Sequence, residues 1–309
     1  MNKINFIFWG TPDVASETLE ILKQNGLIPS LIVTSPNAPK GRGLRVEASP
    51  VALFAEQNNI TCLKPKKLEK EEIWNVLRTL GRKGGDGQRK FLAKNFRGEQ
   101  NIPDFFLVVA YGKIIPENIL NIPKLGSINA HYSLLPKYRG ASPVESAILN
   151  GDTETGITIQ KMIYKMDAGD IIAQEKIEIG NDEKAGDLRK RLIKIGGELL
   201  VKILPEFIEG KIKTIPQDEK EVTFCKKIKK EEGLINLNDD GILNYNKFRA
   251  YAVWPRTFFL ARRSLGEGGF QTRRIIITKA KLENSKFVIE KVLPEGKKEI
   301  SYTEFQKQN

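Results

Sequence analysis

Apolar residues recur along the chain in short runs separated by turn signals. Residues 4–9, INFIFW, read as a buried strand closed by the turn Gly10-Thr11-Pro12. Asp13 is placed to cap a helix whose Val14, Thr18, Ile21 and Leu22 fall near helical spacing. LIPSLIVT (27–34) predicts a second strand, VALFAEQNN (51–59) a helix, and DFFLVVA (104–110) a third strand, apolar enough to be buried on both faces. This alternation predicts an α/β domain with a mostly parallel sheet.

Ser127–His131 predicts a short strand. Ser142-Pro143-Val144-Glu145 has the form of a capping box with proline at the first helical position, and its helix should stop near Asn150-Gly151. ITIQKM (157–162) and IIAQEKIEI (171–179) predict a strand pair across an acidic turn. Over residues 182–209, Leu188, Leu192, Ile195, Leu199 and Ile203 predict a long amphipathic helix.

The pattern changes after Gly210. KIKTIPQDEKEV (211–222) is polar, lacks a helical period and reads as a linker. VTFCKKI, TFFLARR, RRIIITKAKL and KFVIEKVL follow as spaced short strands, which predict a small barrel or sandwich. The expected division is thus a domain over 1–209, a linker over 210–222 and a β-rich domain over 223–309. Two Gly- and Arg-rich stretches, 81–99 and 261–273, interrupt the pattern and are expected as inserted loops.

Composition adds a partner. Lys and Arg number 50 against 38 acids, a net charge of +12. Such an excess suits a polyanion such as nucleic acid, whose phosphates supply the affinity. On charge alone, a solubility bias explains it equally well. No run approaches the roughly 18 apolar residues of a membrane span. MNKINFIFWGTP runs straight into a strand, unlike a signal or transit peptide. A cytoplasmic location with no membrane partner is the expectation. Cys62, Cys225 and a single His stand in no metal-ligand spacing, so no metal is expected.

That single His, His131, lies in INAHYSLLP. In a strand, Asn129 and His131 present an amide and an imidazole on the same face, at a strand end of the kind where α/β sheets place their sites. A structural histidine is the competing reading. The turn Tyr164–Asp170 offers Asp167, a carboxylate able to orient the imidazole or take a proton through water; a plain Asx turn is the alternative. Asn, His and Asp together suit attack of an amine on a carbonyl, in which an oxyanion must be met by donors and a proton removed. Nothing resembles a nucleophile elbow, a Walker loop or a dinucleotide fingerprint.

FWGTPDVA, VVAYGKIIP, INAHYSLLPKYRGASP and MDAGDII, in this order, resemble the methionyl-tRNA formyltransferases over nearly the whole chain outside the two insertions. The resemblance implies a Rossmann-like N-terminal domain and a C-terminal β-barrel resembling an OB-fold. It implies formyl transfer from 10-formyltetrahydrofolate, as cosubstrate, to the amino group of initiator methionyl-tRNA. It makes Asn129, His131 and Asp167 the catalytic trio. It assigns Ser133, Leu134, Leu135 and Pro136, with the backbone around Val109, Ala110, Tyr111 and Gly112, to the folate. Residues 35–50 match the basic loop that reaches the tRNA, with Arg42 at its key position beside Lys40 and Arg45. The tail segments KIKKEEGLINLN and FRAYAVWPRTFF also match, although Asn236-Leu237 and Ala252-Val253 depart from the family pattern. A monomer is expected. Formylation of an amino sugar or glycinamide nucleotide would use the same trio but leaves Arg42's loop and the basic tail unexplained. A catalytically inactive RNA-binding protein is the alternative from another class.

Overall fold

The computed structural model describes residues 4–40, 43–69, 73, 102–264 and 270–308. The chain packs into two compact units. One comprises Met1–Pro136, Gly156–Glu175 and Leu192–Val222; the other Lys137–Thr155, Lys176–Arg191 and Thr223–Asn309. The expected domains were continuous in sequence, whereas each packing unit takes three separate stretches.

The strands in chain order are β1 (Phe6–Gly10), β2 (Leu31–Val33), the hairpin β3 (Ala38–Lys40) and β4 (Arg45–Glu47), β5 (Cys62–Leu63), β6 (Phe105–Val109), β7 (Ser127–His131), β8 (Arg139–Gly140), β9 (Glu154–Lys161) and β10 (Ile171–Glu178). The main sheet has the order β10-β9-β7-β6-β1-β2-β5. β5, β2, β1, β6 and β7 are parallel, and β9 runs antiparallel to β7. The parallel part has the doubly wound order whose ligand crevice lies outside the carboxyl ends of the strands.

Every residue of β1 and β6 is buried, as their unbroken apolar runs require. Phe6 stacks on Phe105 with ring centroids 5.3 Å apart. On the opposite face Ile7, Trp9, Phe106 and Val108 join one core cluster. The helix Asp13–Gln24 lays Ala15, Thr18, Leu19 and Leu22 inward. Gly10 permits this approach, because a Cβ there would lie 2.6 Å from that of Ala15. Asp13 is not the cap: Pro12 holds the N-cap position, and Asp13 sits in the first turn, where its charge suits the helix dipole.

The capping box at Ser142 also fails to form. Pro143–Leu149 is helical and ends at Asn150, but the Ser142 side chain makes no capping bond. Glu145 pairs instead with Arg189, since a charged partner outcompetes a backbone amide. The long helix runs from Ala185 to Ile208, with Leu188, Leu192, Leu199 and Ile203 buried and Ile195 at the margin.

In the second unit, β11 (Phe224–Cys225) pairs in parallel with β8. β12 (Phe258–Ser264), β13 (Phe270–Glu283), β14 (Lys286–Pro294) and β15 (Ile300–Ser301) form an antiparallel sheet, consistent with the expected barrel. Its core gathers Ile235, Tyr245, Phe248, Phe259, Ile275, Ile277, Val292 and Phe305. Tyr245 donates from its hydroxyl to Asp182 at 2.6 Å, and the buried Arg249 donates to the carbonyls of Gly180 and Glu183. These bonds bring 176–191 into this unit.

The insertion expected at 261–273 is largely not a loop. Residues 261–264 and 270–273 are paired strand, from Ala261↔Arg273 to Ser264↔Phe270. Arg262 and Arg263 carry no apolar signal, yet the ladder begun at Phe258↔Ile276 continues through them. The stretch 81–99 lies outside the described residues. Among the described residues no helix is long and apolar enough to cross a membrane.

Candidate active site

Asn129 and His131 end β7, two residues apart and so on one face. Across the antiparallel pair, Gln160 stands opposite Asn129 and Thr158 opposite His131. One face therefore carries an amide, an imidazole, a hydroxyl and a second amide. The alternate positions Ile128, Ala130, Ile157 and Ile159 are buried and apolar, which fixes the register.

Asp167 arrives from the turn between β9 and β10. Its φ of 49° is left-handed, and it places Oδ2 3.7 Å from His131 Nδ1. That is ion-pair range, longer than a direct N–H···O bond of about 3 Å, and catalytic contacts commonly tighten when substrate binds. The imidazole is 6% exposed and the carboxylate 15%, so little water stands between them. The other carboxylate oxygen, Oδ1, accepts from Gln160 Nε2 at 3.0 Å. Gln217 Nε2 donates to the Asp167 carbonyl at 2.9 Å and the Gly169 carbonyl at 2.7 Å. Gly169 closes the turn where no side chain fits, as a Cβ would lie 1.8 Å from the Lys161 carbonyl.

The loop after His131 is anchored by Thr158. Its buried Oγ1 donates to the Ser133 carbonyl at 2.6 Å and accepts from the Leu135 amide at 3.1 Å and from Gln174 Nε2 at 2.9 Å. Gln174 also donates to the Leu135 carbonyl at 2.8 Å. Ser133 and Leu135 point inward, while Leu134 and Pro136 remain half-exposed.

Val109–Gly112 leaves the end of β6, next to Asn129 through the Val108↔Asn129 register. Ala110 and Gly112 have φ of 46° and 79°, Ala110 is exposed, and nothing lies within 4 Å of a Cβ built on Gly112. The Tyr111 ring is 2% exposed in the core against Trp9, and burial pushes its hydroxyl up to about 12. The segment thus presents open backbone at a parallel strand end, where α/β sheets place ligands, while the Tyr111 ring is turned into the core.

Lys40 and Arg45 are register partners in the β3–β4 hairpin, and Arg45 is exposed. Arg42 lies outside the described residues. Among the described residues no group of three or more His, Cys, Asp or Glu is placed to hold a metal ion.

Sequence reasoning missed Thr158, Gln160, Gln174 and Gln217. The first two carried a signal: polar residues at period two inside an apolar strand. Gln217 carried none, because its partners are about fifty residues away.

A family model described as formyl transferase matches residues 88–204. A methionyl-tRNA formyltransferase of Dictyoglomus thermophilum is 37% identical over 318 residues, covering 97% of this chain and 95% of that protein. The one of Sulfurihydrogenibium sp. is 37% identical over 253 residues, 82% of this chain and 75% of its own. Among solved structures, the methionyl-tRNA formyltransferase from Clostridium thermocellum is similar with a TM-score of 0.54 at 18% identity, covering 94% of this chain and 98% of that one. The sugar 3N-formyl transferase WlaRD, solved with dTDP and 5-N-formyl-THF, has a TM-score of 0.59 at 22% identity, covering 96% and 100%. At these identities the two structures speak for the fold.

Proposed function

Since the chain belongs to the methionyl-tRNA formyltransferase family, we infer that it moves the formyl group of 10-formyltetrahydrofolate to the amino group of methionyl-initiator tRNA. The methionyl nitrogen attacks the formyl carbon; a new C–N bond forms, and the bond from that carbon to the folate nitrogen breaks. Asn129 and His131 donate to the formyl oxygen as it gains negative charge. Asp167 holds the imidazole through Nδ1 and takes the proton lost by the amine, directly or through one water, for return to the leaving nitrogen. No side-chain nucleophile takes part.

The observation that carries this reading is the His131–Asp167 approach of 3.7 Å beside Asn129 on the same strand face. The backbone of Val109–Gly112 and the loop Ser133–Pro136 receive the folate. Lys40, Arg42 and Arg45, with the basic 223–309 segment, receive the tRNA phosphates. The test is to incubate the protein with 10-formyltetrahydrofolate and charged initiator tRNA and to look for formyl-methionyl-tRNA. Formylation of an amino-sugar nucleotide with none of the charged tRNA overturns the assignment.

A further inference from the structure

Residues 211–222 form no regular element beyond the bridge Ile171↔Ile215, yet they are laced to the turn that carries Asp167. Ile215 and Ile171 exchange backbone bonds of 2.8 and 2.9 Å. Thr214 Oγ1 donates to Asp170 Oδ2 at 3.0 Å, and Lys165 meets Glu219 at 2.9 Å. Gln217 stands between these ties. Besides its two bonds to the carbonyls of Asp167 and Gly169, its Nε2 lies 3.3 Å from Gln160 Oε1.

These contacts orient both amides, and the 3.3 Å approach to Gln160 shares a hydrogen with a carbonyl bond, since an NH2 group has two hydrogens for three acceptors. An ionised carboxylate only accepts, so Gln160 turns Nε2 to Asp167 and Oε1 to Gln217. Backbone carbonyls also only accept, so Gln217 must present its NH2 group to both. Flipping either amide sets oxygen against oxygen.

We propose that Gln217 is a positioning residue for the catalytic carboxylate: it clamps the left-handed turn at Asp167 and, through Gln160, aims Oδ1 so that Oδ2 faces His131. In this reading Gln217 acts through the Asp167 turn rather than by contact with either substrate. The inference rests on the formyl-transfer reading above.

A double-mutant cycle read by single-turnover formylation tests it. Q217A should slow formyl transfer about 10- to 100-fold, the scale of a small misplacement of a reacting group. Affinity for tRNA and KM for the formyl donor should stay within about three-fold, because the loss falls on the chemical step. In a D167N background the same change should alter the rate by less than about two-fold, since residues acting as one unit are non-additive. Q217E keeps the shape but removes the donors, and should be at least as slow as Q217A. Equal losses from Q217A in both backgrounds overturn the inference. So does a folded Q217E of wild-type rate, which covers the case where Q217A fails to fold. A wild-type protein that formylates no methionyl-tRNA overturns the functional reading and this inference with it; an active wild type with additive losses overturns this inference alone.

Discussion

Replacing Asp167 by Asn keeps volume but inverts one hydrogen-bonding edge. Gln160 Nε2, 3.0 Å from Oδ1, still demands an acceptor. The new carboxamide must therefore present its oxygen there and turn its NH2 group toward His131 Nδ1, where Oδ2 now sits at 3.7 Å. A donor replaces an acceptor at Nδ1, so the imidazole loses the partner that holds it, and the carboxylate that takes the amine proton is gone. Loss of a general acid–base group costs about two to four decades in rate. D167N should therefore form product about 10³-fold more slowly in single-turnover formylation with saturating folate and charged tRNA, and should hold its melting temperature within a few degrees. A folded D167N within three-fold of wild type would remove Asp167 from the mechanism.

The other predictions concern the scaffold. Thr158→Val leaves the buried Leu135 amide and Ser133 carbonyl without their hydroxyl partner; urea unfolding should show a loss of about 2–3 kcal/mol, and the KM for the formyl donor should rise. Gly169→Ala drives a Cβ into the Lys161 carbonyl; denaturant unfolding should show a loss of about 1–3 kcal/mol and activity should fall further, because the Asp167 turn moves. Burial pushes Tyr138, Tyr245 and Tyr251 up to about 12 from the usual 10. A raised folded value means stability fully present below pH 10 and lost as pH climbs from 10 toward 12, so guanidinium midpoints should hold from pH 8 to 10 and drop by pH 11.

The parallel sheet was legible because β1 and β6 are buried on both faces, which leaves unbroken apolar runs in the sequence. The strand end at His131 was legible because alternation sets Asn129 and His131 on one face. Legibility failed where a distant partner decides. Ser142 and Glu145 have the spacing of a capping box, but Arg189 takes the glutamate. Arg262 and Arg263 look like loop, but Thr272 and Gln271 pair with them. Gln217 sits in a stretch with no period at all, and its bonds depend on a turn that only the folded sheet creates. Local pattern reports which face a residue takes; it does not report what arrives on that face from elsewhere in the chain.

The interleaving of the two packing units bears on how the protein is made. Synthesis runs from the N-terminus, so Lys137–Thr155 and Lys176–Arg191 emerge well before Thr223–Asn309, the segment that completes their unit. Until then the β8 edge lacks β11, and Asp182 lacks the Tyr245 hydroxyl. The first unit waits as well, because its last stretch ends only at Val222. Neither half can finish on a nascent chain that stops at residue 209, and a fragment cut there should not persist as a stable catalytic core. Completion of the second unit thus waits for 223–309, whose pairings with 137–155 and 176–191 are contacts of long sequence separation, the kind that form slowly.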